Sequence, residues 1–396
     1  IDGSSSKLGV AVPINMTPVP PEHKSPKFSA ALDLVRGIAS CLVLAAHILQ
    51  LFLYPFLPKG AVLSSVSNHL AVFSVLIFFV LSGYLITGSL IQNCRRNGEI
   101  DEWQFLRARI ERIVPPFLAA ILLTLCTAVV IRWLGMPAVE PSLRAGVHVS
   151  IGLAGQLKAK AVIPTALLSN GLIPGSSTIP CNLALWSLSI EVWLYVIALM
   201  VAVAITRIGT NDGRQTAIVA LAIITLCLSG NARFWECAIY WGLGSLFAAV
   251  KSVPSLRRTI RMALAVLMVA GAAEALIFFA KIWPLERYLP TLIPVKMAIL
   301  IAMTGLFQML VPRIPDVVLK LGKKLAASSY TLYILHFPVL LLIFALTWEH
   351  YTAFQASAKA LFLTATFITV WFLCHAAARY LEDRRRWAWL FGGAAR

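Results

Sequence analysis

Ten apolar runs, each close to the ~20 residues that cross a hydrocarbon layer as a helix, divide this chain. They fall near 31–55, 70–91, 114–134, 183–206, 216–232, 234–250, 262–281, 291–311, 325–347 and 358–379. The fifth and sixth are weak and close enough to form a hairpin. Inside lipid every backbone N–H and C=O needs an internal partner, so a chain of this pattern folds as an all-α, polytopic transmembrane bundle. Only 13% of residues are charged, about half the share of a soluble domain. The Pro- and Gly-broken stretch 135–182 reads as a loop or short helices over one mouth of the bundle.

Lys and Arg outnumber Asp and Glu by 34 to 17. The excess sits in alternate connections, chiefly 92–113, 251–261, 312–324 and the C-terminal end. Cytoplasmic connections collect such residues, so both termini are expected inside and 135–182 outside. The basic residues lie between apolar spans rather than in one patch, which argues against nucleic-acid binding. Seven Cys are scattered singly, with neither a disulfide framework nor zinc spacing. Residues 1–29 are polar and Pro-rich and are expected to be a disordered tail, with "IDGSSSKLG" a processed or appended end. The membrane domain is expected over 30–380, followed by a basic cytoplasmic tail over 381–396.

Ionisable residues inside spans are rare and costly, and mark function by default. The first span carries Asp33, Arg36 and His47. A helix places Arg36 and His47 about 16 Å apart and within about 20° of one face. Glu191 in "LWSLSIEVWLY" and His336 in "SSYTLYILHFPVLL" fall at a depth similar to His47, so the three can share the middle of one bundle. Alone, each has a plainer role. A membrane histidine often makes only a helix–helix hydrogen bond. Glu191 can neutralise a histidine or Arg36, and Asp33 can cap the first helix and pair with Arg36.

"DEWQFLRARIERIVPPF" precedes the third span. Arg109 and Arg112 are i,i+3 neighbours with Arg107 close by, and Pro115-Pro116 is expected to open the transmembrane helix. The arginines either anchor the span topologically or clamp a phosphate in bidentate fashion. Ser82-Gly83 in "FFVLSGYLI" allows close approach of a helix or a ligand. Trp186, Trp193 and Tyr195 suit interfacial or packing positions.

Taken together these stretches resemble the acyltransferase 3 family of integral membrane acyltransferases, over nearly the whole chain. "LDLVRGIASCLVLAAH" is similar to the family's opening helix, an arginine, ten residues and a histidine, here Arg36 and His47. "FFVLSGYLI" resembles its second-span motif and "FLRARIERIVPPF" its Arg-x-x-Arg element, on Arg109 and Arg112. "LWSLSIEVWLY" resembles its Trp-Ser-Leu-x-x-Glu segment, with Trp186, Ser187 and Glu191. "SSYTLYILHFPV" resembles its late Ser-Tyr…His-x-Pro segment, with Ser329, Tyr330, His336 and Pro338. Ser74 and the Val192-Trp193 pair depart from the family pattern. The resemblance is to relatives without a C-terminal SGNH esterase-like domain.

That resemblance implies transfer of an acyl group, commonly acetyl, from acyl-CoA to a hydroxyl of a carbohydrate or glycolipid acceptor at a bacterial inner membrane, with no metal. It implies that Arg109 and Arg112, with Ser82 and Tyr330, hold the acyl-CoA. His47 acts as base or acyl carrier, Glu191 orients its imidazole, and Arg36 lines the donor path. Trp186 and His336 belong to the acceptor pocket, His336 being the second candidate for the base. Donor and acceptor are expected from opposite faces of the membrane. The rival class is a proton-coupled transporter using the same His, Glu and Arg groups. No internal repeat of the kind many transporters carry is visible in the sequence.

Overall fold

The computed structural model describes residues 26–58, 61–134, 157–207 (less 171, 174 and 175), 213–228, 232–252 and 293–387, with isolated positions between 262 and 269. The span expected at 262–281 and the first half of the 135–182 connection lie outside the described residues. So do the expected tail up to residue 25 and residues 388–396.

Among the described residues the chain is helical and has no strand. The helices are α1 (Pro26–Ile48), α2 (Val62–Asn97), α3 (Glu102–Trp133), α4 (Ala159–Ala166), α5 (Leu185–Thr206) and α6 (Gly213–Leu228). They continue as α7 (Ala232–Ser252), α8 (Ile293–Leu310), α9 (Asp316–Ala326), α10 (Ser329–Ala353), α11 (Ala356–Leu381) and α12 (Arg384–Trp387). Among the described residues seven segments are long and apolar enough to cross a membrane: α1 with its following turns, α2, α3, α5, α8, α10 and α11. Of the other expected spans, α6 has only 16 residues and α7 carries Arg233, Glu236 and Lys251.

Local chemistry sets several helix ends. Pro26 occupies the first position of α1, where its missing N–H costs nothing. The helix therefore starts earlier than expected, and Asp33 lies inside it rather than at its cap. Gly98, at φ 79°, ends α2 in the left-handed region that glycine adopts freely. Asp101 caps α3 by accepting from the Gln104 amide at 2.9 Å. Glu382, past the end of α11, accepts from the Thr331 amide (3.0 Å) and hydroxyl (2.7 Å) at the start of α10.

The expectation for Pro115-Pro116 is corrected. The pair does not open a helix; it lies well inside the continuous α3, with both rings buried. The carbonyls that two prolines leave unpaired are tolerable there because the site is enclosed by protein.

Two apolar clusters organise the bundle. One joins α1, α3, α10 and α11 around Phe52, Phe344 and Tyr351. The other joins α2, α5, α7 and α8 around Phe79, Phe234 and Tyr240. Outward apolar side chains stay uncovered, such as Leu122 of α3 (65% exposed) and Leu361 of α11 (72% exposed). Such surfaces belong against lipid.

Glycines let α2 and α7 meet backbone to backbone. A Cβ on Gly83 would stand 1.9 Å from the Trp241 carbonyl oxygen, and one on Gly244 1.9 Å from that of Val80. Packing thus accounts for Gly83, the plainer of its two sequence roles. Gly83→Ala and Gly244→Ala should each cost about 1–3 kcal/mol, seen as a lower thermal unfolding midpoint in detergent. Gly305→Ala, which meets nothing within 4 Å, should leave the midpoint unchanged or raise it, because alanine favours a helix interior over glycine.

Candidate functional site

Between the two clusters lies a cleft of about 570 Å³, a volume that takes in the open solvent at its mouth. Five helices supply its walls: α1 gives Arg36 and α3 gives Arg112. The aromatic side is Phe78 and Phe79 of α2, and α5 adds Ser187 and Glu191. Ser329, Tyr330 and Tyr333 of α10 complete it. Two guanidinium groups thus share the lining of one cleft. The Arg36 Nη2 lies 3.3 Å from the Asp33 carboxylate and donates to the Ala326 carbonyl at the end of α9 at 3.3 Å. Its buried Nε has no hydrogen-bond partner. Asp33 is therefore the counter-ion of Arg36, as expected, though not the cap of the helix.

Tyr333 joins this cleft to a pair of histidines. Its hydroxyl meets Ser187 Oγ at 2.6 Å, and its ring lies 6.1 Å from that of His336. His336 stacks on His47, with centroids 5.2 Å apart and planes 26° from parallel. The Phe337 ring stands edge-on to His47 at 5.2 Å. His47 and His336 therefore do meet, as their similar depths implied. His336 Nδ1 donates to the Leu332 carbonyl at 2.9 Å, because that oxygen can only accept. Its buried Nε2 is left as a lone pair without a partner. The His47 Nδ1 meets the Gln50 Oε1 at 2.7 Å.

The helix carrying His336 is held by a proline-dependent bond. Pro338 has no N–H to give the Ile334 carbonyl, one turn back in α10. Asn182 Nδ2 supplies the missing donor at 2.8 Å and also reaches Thr124 Oγ1 of α3 at 3.1 Å. Asn182 precedes α5 and is fully buried, so one side chain ties α3, α5 and α10 beneath the site. The neighbouring Cys181 is a packed thiol, its pKa pushed up to about 12 by burial.

Glu191 lines the cleft but has a different partner from the one expected. It accepts from the Tyr195 hydroxyl at 2.5 Å, while Gln50 holds the His47 ring. Ser82 lies behind this pair, donating to Tyr195 at 3.2 Å and accepting from Trp241 Nε1 at 3.3 Å. Tyr330 lines the cleft and donates to the Ile113 carbonyl at 3.2 Å. Of the two α3 arginines only Arg112 is in the cleft lining. Arg109 donates to Ser89 Oγ at 2.8 Å and lies over the Phe105 ring at 5.1 Å. Trp186 packs into the second cluster beneath Arg233, whose guanidinium is 5.4 Å from its ring. Trp193 donates to the Leu168 carbonyl at 2.9 Å.

Gln50, Tyr333 and Asn182 were not singled out by the sequence. Pro338 signals that the Ile334 carbonyl needs an outside donor, but not which one. Gln50 had a detectable signal, being an amide inside the first apolar run.

A protein-family model described as an acyltransferase domain matches residues 29–376. No curated protein and no solved structure matches the chain. The match runs from the start of α1 nearly to the end of α11, so it takes in both clusters, the cleft and the histidine pair. The chain belongs to the acyltransferase 3 family and is a multi-pass membrane acyltransferase.

Proposed function

We propose that this protein moves a short acyl group, commonly acetyl in its family, from acyl-CoA to a hydroxyl of a carbohydrate or glycolipid acceptor, at a bacterial inner membrane. One observation carries the proposal. A cleft lined by Arg36 and Arg112 abuts, through Tyr333, the stacked His47 and His336. Guanidinium groups grip phosphates in bidentate fashion, which suits the nucleotide end of a coenzyme A donor. Imidazole serves the other end, because it takes and returns a proton near neutral pH.

In this scheme His47 removes the acceptor hydroxyl proton as the oxygen attacks the thioester carbonyl. The tetrahedral intermediate collapses with cleavage of the C–S bond. The proton on His47 passes to the departing thiolate, and the histidine returns to its starting form. Arg36, about 16 Å along α1 from His47, lies with Arg112 on the donor's path rather than at the reacting carbon. Direct transfer is the simpler course, since it needs no acyl-histidine and only one base. The donor enters at the end of the cleft nearest Arg112, on the basic side of the membrane.

His47→Ala should abolish acyl transfer while the purified protein keeps its helical content and unfolding midpoint. Turnover near that of the wild type would remove His47 as base and return the pair's role to His336.

The arginines should separate. Arg112→Ala should weaken the donor by about 1.5–3 kcal/mol, as expected for a lost charge-assisted contact. Arg109→Ala, whose guanidinium is engaged with Ser89 and Phe105, should change donor affinity less. Titration of acyl-CoA against each variant checks this. Equal losses of affinity would return Arg109 to the donor site beside Arg112, and a loss of protein level without loss of affinity would assign both to the anchoring of α3.

A further inference from the structure

We propose that Gln50, held in turn by Asn68, is a positioning residue that fixes the tautomer of His47. The inference rests on His47 being the base of the proposed reaction. It assigns no new contact with substrate; it names the group that makes one particular ring nitrogen available.

Gln50 lies in a five-residue π-turn, Leu49–Leu53, that directly follows α1. Such insertions occur often at functional sites. Its side chain is buried among apolar neighbours, Leu51 and Phe52, yet it is an uncharged amide with four hydrogen-bonding positions. Burying an amide in the membrane interior is costly without partners. Both ends of this one are used. Oε1 meets His47 Nδ1 at 2.7 Å, and Nε2 donates to Asn68 Oδ1 of α2 at 2.9 Å.

The chain continues past Asn68. The Tyr54 hydroxyl stands 3.2 Å from the same Asn68 oxygen, 2.8 Å from the Ser64 carbonyl and in hydrogen-bonding contact with Ser67 Oγ. An amide cannot pass a proton along such a chain as a hydroxyl or imidazole can, so the chain orients rather than conducts. Its direction decides the chemistry. With Gln50 Nε2 committed to Asn68, Oε1 faces His47 and accepts from an Nδ1–H. The other ring nitrogen, Nε2, then carries the lone pair that a base needs. Were both amides reversed, Gln50 would donate to Nδ1, and Nε2 would hold the proton. The same geometry that a carboxylate gives a catalytic triad is supplied here by a neutral group.

The test reads the tautomer directly. The protein is labelled with 15N-histidine, placed in lipid nanodiscs, and the His47 signal is assigned by its loss in His47→Asn. Wild-type His47 should show the Nδ1–H form. Gln50→Leu should shift the signal toward the Nε2–H form and lower kcat by about ten- to a hundredfold, the usual loss when a histidine's orienting partner is removed at a metal site. The KM for acyl-CoA should stay within about twofold. Gln50→Glu keeps an acceptor facing Nδ1 and should restore most of kcat. Asn68→Leu, one link further out, should show the same changes at smaller size and serves if Gln50→Leu does not fold. An Nε2–H signal in the wild type overturns the proposal. So does an unchanged spectrum or unchanged kcat in Gln50→Leu. If His47→Asn itself keeps full turnover, the assignment of His47 as base falls, while the wild-type spectrum still decides the direction of the amide chain.

Discussion

Backbone polar groups carried into the hydrocarbon layer must find partners within the protein, and this bundle is organised around meeting that demand. The Ile334 carbonyl, deprived of its helical donor by Pro338, is met by Asn182. The Thr331 amide at the head of the same helix is met by Glu382. Arg36 leans on Asp33 and on the end of α9. Apart from the Arg36–Asp33 pair within α1, each bond crosses between separate elements. The polar partners therefore do what a hydrophobic effect cannot do between helices in lipid: they choose which helices become neighbours.

The site occupies the seam that these choices create. Apolar packing alone would give two separate bundles, one around Phe52 and Phe344 and one around Phe79 and Tyr240. The cleft is where they fail to close, and its lining alternates charged, hydroxylic and aromatic side chains from both halves. Aromatic walls at Phe78 and Phe79 hold the first half of the seam. Tyr333 divides the arginine end from the histidine end by its bond to Ser187. A substrate that reaches His47 from the cleft must pass that phenol.

What could be read in the sequence was set by periodicity and by cost. Apolar runs of span length are hard to mistake, so seven expected spans return as helices long and apolar enough to cross. Residues that are expensive in lipid are equally visible, and Arg36, His47, Glu191 and His336 all line the cleft or the pair beside it. Partner choice was not legible. Glu191 was expected to orient His47, because a carboxylate is the commonest partner of a catalytic imidazole. The ring is held instead by Gln50, three residues along the same chain, where a π-turn replaces the ordinary helix. No periodic pattern marks such a turn. The proline pair misled for a related reason: an isolated helix would end there, and only enclosure by protein lets α3 continue.

Arg36 carries one further implication. Its Nη2 is already engaged, by a carboxylate on its own helix and by the carbonyl that closes α9, while its Nε is left without a partner. An anion arriving in the cleft does not meet a vacant charge; it enters a contest with ligands the protein supplies itself. Binding there is an exchange. Its strength is the difference between two sets of bonds rather than the sum of one, and release of the Ala326 carbonyl would loosen the hold of α9 on α1. The built-in ligands stand ready to return when the anion leaves.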